Sequence, residues 1–347
     1  MTMADEEPIH LVGGWGSPYT QKMIALLRYR RLPYRITWGQ PEQTCDALGV
    51  ARPTPVLLPT FFFQEADGLK AITDSTPIIR RLEAMFSGRS VTPKNPGLAF
   101  IDYLIEDFAD EWCTKYMFHY RWYAPADADN AGTLLPLSFD VSMATQDHEH
   151  LKQWVTERQV KRLYVVGSND SSAPVIDASY RRFLAAMENH LAEQHFMLGH
   201  RPGAGDFGLY GQLTQLVGFD PTPRRIAHEV SPRTVAWVDH LSDQSGHAPS
   251  EQDWIALGDQ PASLRELMSE IGRVYAPAQL ANARAVQAGE KTWSATIDGA
   301  QWNQRTFSYQ AKCLAWTNER YQALKGGDRT EVDALLQGTG VEAMLAG

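Results

Sequence analysis

The sequence predicts a small α/β unit with a mixed four-stranded sheet, followed by an all-helical domain and a C-terminal extension. Three observations lead there. Strand and helix signals alternate through residues 9–86, and strand patterns nearly vanish after the Gly/Pro-containing connector 87–97. Beyond residue 276, helical stretches flank one possible hairpin turn at Asp298-Gly299.

Within the first unit, IHLVG (9–13) is a short apolar run that ends at glycines. Residues 18–31 place Met23, Ile24 and Leu27 on one helical face, with Arg28, Arg30 and Arg31 at the end where a helix dipole favours cations. YRITW (34–38) is a second strand, and PEQTCDALG (41–49) is a short helix ending at Gly49. TPVLL (54–58) is predicted as the third strand and LKAIT (69–73) as the fourth, with FFFQEADG read as the connection that turns at Asp67-Gly68. DSTPIIRRLEAMF (74–86) is a helix capped by Asp74 or Ser75, with Pro77 in its first turn.

Residues 98–124 form an amphipathic helix rich in aromatics, followed by helical patterns at 147–163, 177–196, 204–218, 233–241 and 261–274. Pro/Ser-rich stretches near 220–232 and 243–250 read as breaks. QLANARAVQAG (279–289) and residues 306–324 read as helices around the possible hairpin of 293–304. The expected division is 8–86, 98–275 and an extension over 276–347.

A length of 347 residues suits more than one core. The net charge of −9 argues against a general nucleic-acid or anionic-membrane binder. Cys45, Cys113 and Cys313 lie far apart, and no His/Cys spacing suggests a metal site or a disulfide framework. Sparse cysteines, an acidic N-terminus without an apolar signal core and the lack of a long apolar stretch point to a cytoplasmic protein outside the membrane.

The segment GGWGSPYTQK (13–22) carries the first chemical hint. Ser17-Pro18-Tyr19-Thr20 has the layout of a redox Cys-Pro-Tyr-Cys loop without its sulfurs, which removes thiol–disulfide exchange. It leaves a hydroxyl at a helix N-terminus, where unpaired N–H groups favour an anion. On its own, Ser17 is also an ordinary N-cap.

Ser17-Pro18-Tyr19 at a strand-to-helix turn, Thr54-Pro55-Val56 before the expected third strand and Thr73-Asp74-Ser75 at a helix start together resemble the glutathione transferase family. GHRPGAGDFGLYGQL (199–213) is similar to the segment that opens a capped helix in that family's second domain, although Gly203 stands where the family has Ser or Thr. The resemblance implies a thioredoxin-like N-terminal domain, a transferase-type helical domain and pairing into a homodimer. It also implies that Ser17 activates the thiol of glutathione, the co-substrate. Thr54, Pro55 and Val56 would hold the cysteinyl backbone, and Asp74 and Ser75 the γ-glutamyl end. Trp15, Tyr19, Tyr116, His119, Tyr120 and Tyr123 are the candidates to line a pocket for a small apolar electrophile. His119 and Arg121 are candidates to orient a carboxylate or phenolate there. No metal is called for. A non-catalytic scaffold or a carrier of aromatic ligands is the alternative, with the extension as a partner surface or as a lid bearing Trp302, Phe307, Tyr309 and Trp316.

Overall fold

The computed structural model describes residues 7–345, so the acidic stretch 1–6 lies outside it. Strand β1 (Ile9–Gly13) leads into α1 (Pro18–Arg30), β2 (Tyr34–Trp38) and α2 (Pro41–Leu48). Strands β3 (Thr60–Glu65) and β4 (Gly68–Ile72) follow, then α3 (Ser75–Met85). The sheet order is β2-β1-β3-β4, with β1 parallel to β2 and antiparallel to β3.

The third strand is not TPVLL but TFFFQE. Position β3 lies between two partners and needs backbone N–H groups on both sides, whereas 54–58 is hemmed by Pro53, Pro55 and Pro59. Phe61, Phe62 and Phe63 are buried, as a central strand requires. Glu65 pairs with Gly68, so the predicted turn does join the third and fourth strands, with Ala66 and Asp67 between them.

The helical region runs α4 (Pro96–Phe108), a wide π-type turn over Ala109–Cys113, and α5 (Thr114–Tyr123). Next come α6 (Pro125–Leu137), α7 (Thr145–Val160), α8 (Ala173–Leu191), α9 (Ala204–Gly218), α10 (Pro221–Val230) and α11 (Pro232–Leu241). Helix α10 replaces the expected break near 220–232, because Pro221 occupies the first turn, where its missing N–H costs nothing. Helix α6 escaped the periodicity because Gly132 and Pro136 interrupt its apolar pattern.

Helix α12 (Ala262–Glu270) passes through a second wide turn, Ile271–Tyr275, into α13 (Ala276–Gln287) without a break. The predicted hairpin is present as β5 (Thr292–Ile297) and β6 (Ala300–Arg305), with Asp298 and Gly299 both at positive φ. Helices α14 (Ser308–Ala323), α15 (Gly326–Leu336) and α16 (Glu342–Leu345) complete the chain.

These last elements belong to the common core. Trp302 is fully buried with its ring 5.4 Å from that of Trp112, and Tyr321 of α14 lies 5.6 Å from Phe100 of α4. Asn95 at the start of α4 donates to Asp328 of α15.

Gly203 departs from the family pattern for a reason visible in α4. Asp102 accepts from the N–H groups of Ala204 and Gly205 and so supplies the missing cap acceptor. A Cβ at 203 would collide with that carboxylate. Asp206 completes the cap by accepting from Gly203 N at 2.9 Å and Met197 N at 2.9 Å.

One buried cation joins the sheet unit to the helices. Lys22 on α1 is fully enclosed and donates to Glu106 at 2.7 Å, Asp110 at 2.6 Å and Ser75 Oγ at 3.0 Å. Thr76 adds a hydroxyl to Glu106 at 2.9 Å. Burial opposes the charge on Lys22, but Asp110 and Glu106 outweigh it and hold the ammonium above its ordinary value. One positive charge between two carboxylates leaves a surplus negative charge. Burial, with Glu106 adding repulsion, accordingly lifts Asp110 to about 6 even though Lys22 opposes the shift. Nearby, burial lifts Asp107 to about 7 despite a 2.6 Å hydrogen bond from Tyr275.

Two outcomes are expected. Lys22→Met leaves two buried carboxylates unpaired, so chemical denaturation should show a loss of ~3–5 kcal/mol at neutral pH. Asp107 binds its proton more tightly in the folded chain than in the unfolded one, so its contribution grows as pH falls from 7 towards 4. Urea midpoints for Asp107→Asn should therefore lack that rise, which amounts to up to ~4 kcal/mol across the window. Parallel pH profiles for the variant and the parent chain would refute it.

Candidate functional site

The turn between β1 and α1 is built to present one hydroxyl. Ser17 is the extended N-cap of α1, and its Oγ accepts from Thr20 N at 3.2 Å. The same oxygen donates to the carbonyl of Leu58 over a long 3.4 Å. Thr20, the other former sulfur position, is fully buried and holds the loop by accepting from Gly14 N.

The loop carbonyls are taken up by the helical region. Arg121 donates to Gly16 O at 2.8 Å, while its other nitrogens engage Asp220 and Gln215. Gln215 and Gln21 both donate to Trp15 O. Tyr19 donates to the Asp110 carbonyl inside the wide turn at 2.8 Å. With these carbonyls occupied, the Ser17 hydroxyl and the α1 N-terminus are left as the loop's polar features.

Both Thr54-Pro55 and Leu58-Pro59 are cis. The carbonyl that meets Ser17 belongs to Leu58, directly before Pro59 and β3, whereas Thr54 and Pro55 are exposed and Val56 is half-buried. The Ser17 hydroxyl thus meets Leu58, the residue before the second cis proline. The third strand begins at Thr60, six residues later than the sequence pattern implied. Pro55 O instead accepts from Thr73, beside the start of α3.

Asp74 and Ser75 open α3 as expected, with Asp74 at a φ of 81°. Neither side chain is idle. Ser75 is 6 % exposed and accepts from Lys22, and Asp74 accepts from Tyr309 of α14 at 2.6 Å. Burial raises the Asp74 carboxyl, and the Tyr309 hydrogen bond pulls the other way. Of the four expected lid residues, Tyr309 reaches the site, and Trp316 lies edge-on to it at 6.1 Å. Trp302 is buried against Trp112, and Phe307 is half-buried, with its backbone tied to Asn282.

The aromatics of α5 face another way than the sequence suggested. Tyr116 is fully buried against Ser179, and Tyr120 donates to Asp177, because α8 covers that face of the helix. His119 is buried on Ser168 and kept uncharged, with burial lowering it to about 4. Tyr123 is exposed and donates to Asp170. Arg121 positions the loop through Gly16 and is not free to bind a ligand. Trp15 alone among the expected pocket residues stands open at the loop, stacked on Trp38 at 4.5 Å.

Sequence reasoning missed the residues that do wall this loop. Leu135 of α6 packs against Gly16, and Phe139 and Leu58 approach Gly14. The only signal for Leu135 and Phe139 was an apolar cluster in a segment without helical periodicity. Among the described residues, no group of three His, Cys, Asp or Glu side chains is placed to hold a metal ion. Among the described residues, too, no helix is long and apolar enough to cross a membrane.

No curated protein matches the chain. A glutathione S-transferase of Ceriporiopsis subvermispora, solved with glutathione, is 15% identical with a TM-score of 0.43, covering 68% of this chain and 98% of its own. A glutathione transferase from Burkholderia graminis, with two glutathione molecules per subunit, is 16% identical with a TM-score of 0.41, covering 76% and 89%. A Tau class enzyme from mango is 14% identical with a TM-score of 0.39, covering 71% and 94%. Family models are decisive: residues 11–90 match the N-terminal domain of glutathione S-transferases and residues 152–240 match their C-terminal domain. The chain belongs to the glutathione transferase family, with a thioredoxin-like N-terminal unit and a helical C-terminal unit.

Proposed function

We propose that this chain binds glutathione and uses its thiolate to attack an apolar, aromatic electrophile. The observation that carries this reading is the Ser17 hydroxyl, polarised by the Thr20 N–H at the α1 N-terminus and only loosely engaged with Leu58 O. A 3.4 Å hydrogen bond is weak, so turning the hydroxyl towards an incoming sulfur costs little. A hydrogen bond to a charged group contributes roughly 1.5–3 kcal/mol, which lowers a thiol pKa by about 1–2 units. At neutral pH that converts a few per cent of thiolate into a substantial fraction.

In this reading the cysteinyl backbone pairs with Leu58 before cis Pro59, a role the sequence pattern assigned to Val56. The γ-glutamyl carboxylate meets the N–H groups opening α3 and the Ser75 hydroxyl, and its ammonium meets Asp74. Trp15, Leu58, Leu135 and Phe139 supply the apolar wall that favours an aromatic acceptor. The sulfur lone pair forms the new carbon–sulfur bond, and the leaving group departs with its electron pair. Conjugation, dehalogenation, ether cleavage and isomerisation all begin with that thiolate addition. Three buried, unpaired cysteines fit a reducing cytoplasm.

A second reading has a specific observation behind it. Tyr309 already occupies Asp74, so a chain that retains the fold as a binding protein would look the same at this end of the site.

Titration calorimetry with glutathione, combined with thiolate absorbance in the far ultraviolet, separates the two. The enzyme reading expects binding at millimolar glutathione or below, with a thiol pKa lowered by about 1–2 units. Ser17→Ala should keep binding within about threefold, abolish the shift and cut turnover of an activated chloroaromatic by at least tenfold. Absence of binding at millimolar glutathione sinks the reading, and an unshifted thiol leaves only the binding protein. Tyr309→Phe frees Asp74 and should tighten glutathione binding by about three- to tenfold. Unchanged affinity would remove Asp74 from the site.

A further inference from the structure

Away from the Ser17 loop, a cavity of about 280 Å³ opens between α3, α4 and α14. Ile79, Ala99, Phe100 and Leu324 give it apolar walls. Two arginines from opposite ends of the chain, Arg80 on α3 and Arg320 on α14, line it beside Tyr103. Their guanidinium carbons lie 5.5 Å and 4.2 Å from the centre of the Tyr103 ring. Arg80 also sits 5.8 Å from the Trp316 ring.

Glu106 attracts Arg320 only from beyond ion-pair distance. Among the described residues, neither guanidinium forms an ion pair with a carboxylate. Two acids do line the cavity, but both are committed elsewhere. Glu106 is held by Lys22 and Thr76, and Asp102 accepts from two backbone N–H groups, with burial raising its carboxyl well above the usual range. Arg320 is half-buried, and burial followed by repulsion from Arg80 lowers it from the ordinary arginine value. Stacking on tyrosine and tryptophan orients both guanidiniums without neutralising them.

We propose that this cavity binds a small organic carboxylate with an apolar or aromatic body. The carboxylate bridges Arg80 and Arg320, for which the planar guanidinium fork is the matching donor. The body lies along Ile79, Phe100 and Leu324. A cavity of this size holds a ring with one substituent and little more. Inorganic phosphate has no apolar part to bury and carries more charge towards Glu106, so it is the weaker ligand. Because Arg320 comes from α14, the site exists only where the C-terminal extension docks on α4.

Benzoate is the probe, titrated into the full chain by calorimetry at neutral pH. Saturable binding at millimolar concentration or below is expected, weakening as sodium chloride rises from roughly 50 to 500 mM. Arg320→Gln and Arg80→Gln should each weaken it by at least about tenfold, while Ser17→Ala leaves it unchanged. Arg320→Lys keeps the charge but loses the fork, and an intermediate loss is expected. That variant and Arg80→Gln carry the test should Arg320→Gln fail to fold. Benzoate affinity that survives these substitutions overturns the proposal, as does inorganic phosphate binding as tightly as benzoate.

Discussion

The molecule turns on the ammonium of Lys22. It joins three elements at one point, since Lys22 stands on α1, Glu106 and Asp110 come from the α4 helix and its wide turn, and Ser75 opens α3. A buried ion pair is weak evidence of net stability, because desolvation cancels most of the attraction. Its stronger effect here is geometric. The cation fixes the distance between α1 and α4, and so the place where Ser17 at the start of α1 faces Leu58. It also fixes the rotation of α3, because the Ser75 hydroxyl is one of its three ligands. The two halves of the proposed glutathione site are therefore held by one charge five residues from the Ser17 hydroxyl.

The wide turn in the α4–α5 helix serves the same arrangement. Within it, Asp110 offers its carboxylate to Lys22 and its carbonyl to Tyr19. Both contacts hold α1 to the helical region at residues only three apart. Arg121, two turns further on, then reaches Gly16. Thus one helix supplies the counter-charge, the tether and the clamp for the loop that carries Ser17.

Local chemistry made the opening β1–α1–β2 run, the α3 start and the β5–β6 hairpin readable, because each rests on neighbours in sequence. Ser17 as a cap and Asp298-Gly299 as a turn are such cases. The third strand was misplaced because TPVLL and TFFF are both apolar. Only the demand of a central strand for N–H donors decides between them. Lys22 was illegible for a different reason. In QKMIALL it reads as a solvent-facing residue of an amphipathic helix, and its carboxylate partners lie 84 and 88 positions away. The α5 aromatics were expected in a cleft because the family resemblance puts a pocket against that helix, and periodicity shows that a face is apolar, not what covers it. Here α8 does. Tyr309 meets Asp74 across 235 positions, a contact that no local pattern encodes.

The exchange between Gly203 and Asp102 couples two positions 101 residues apart. A side-chain acceptor at the cap of α9 and a carboxylate on α4 compete for the same space, so the chain can hold one or the other. A serine introduced at 203 collides with Asp102, and a smaller residue at 102 leaves the α9 amides without their acceptor. Each single change weakens the cap of α9, and only the double change restores a side-chain acceptor at its N-terminus. Positions 102 and 203 are therefore coupled in stability, and their substitutions should combine non-additively.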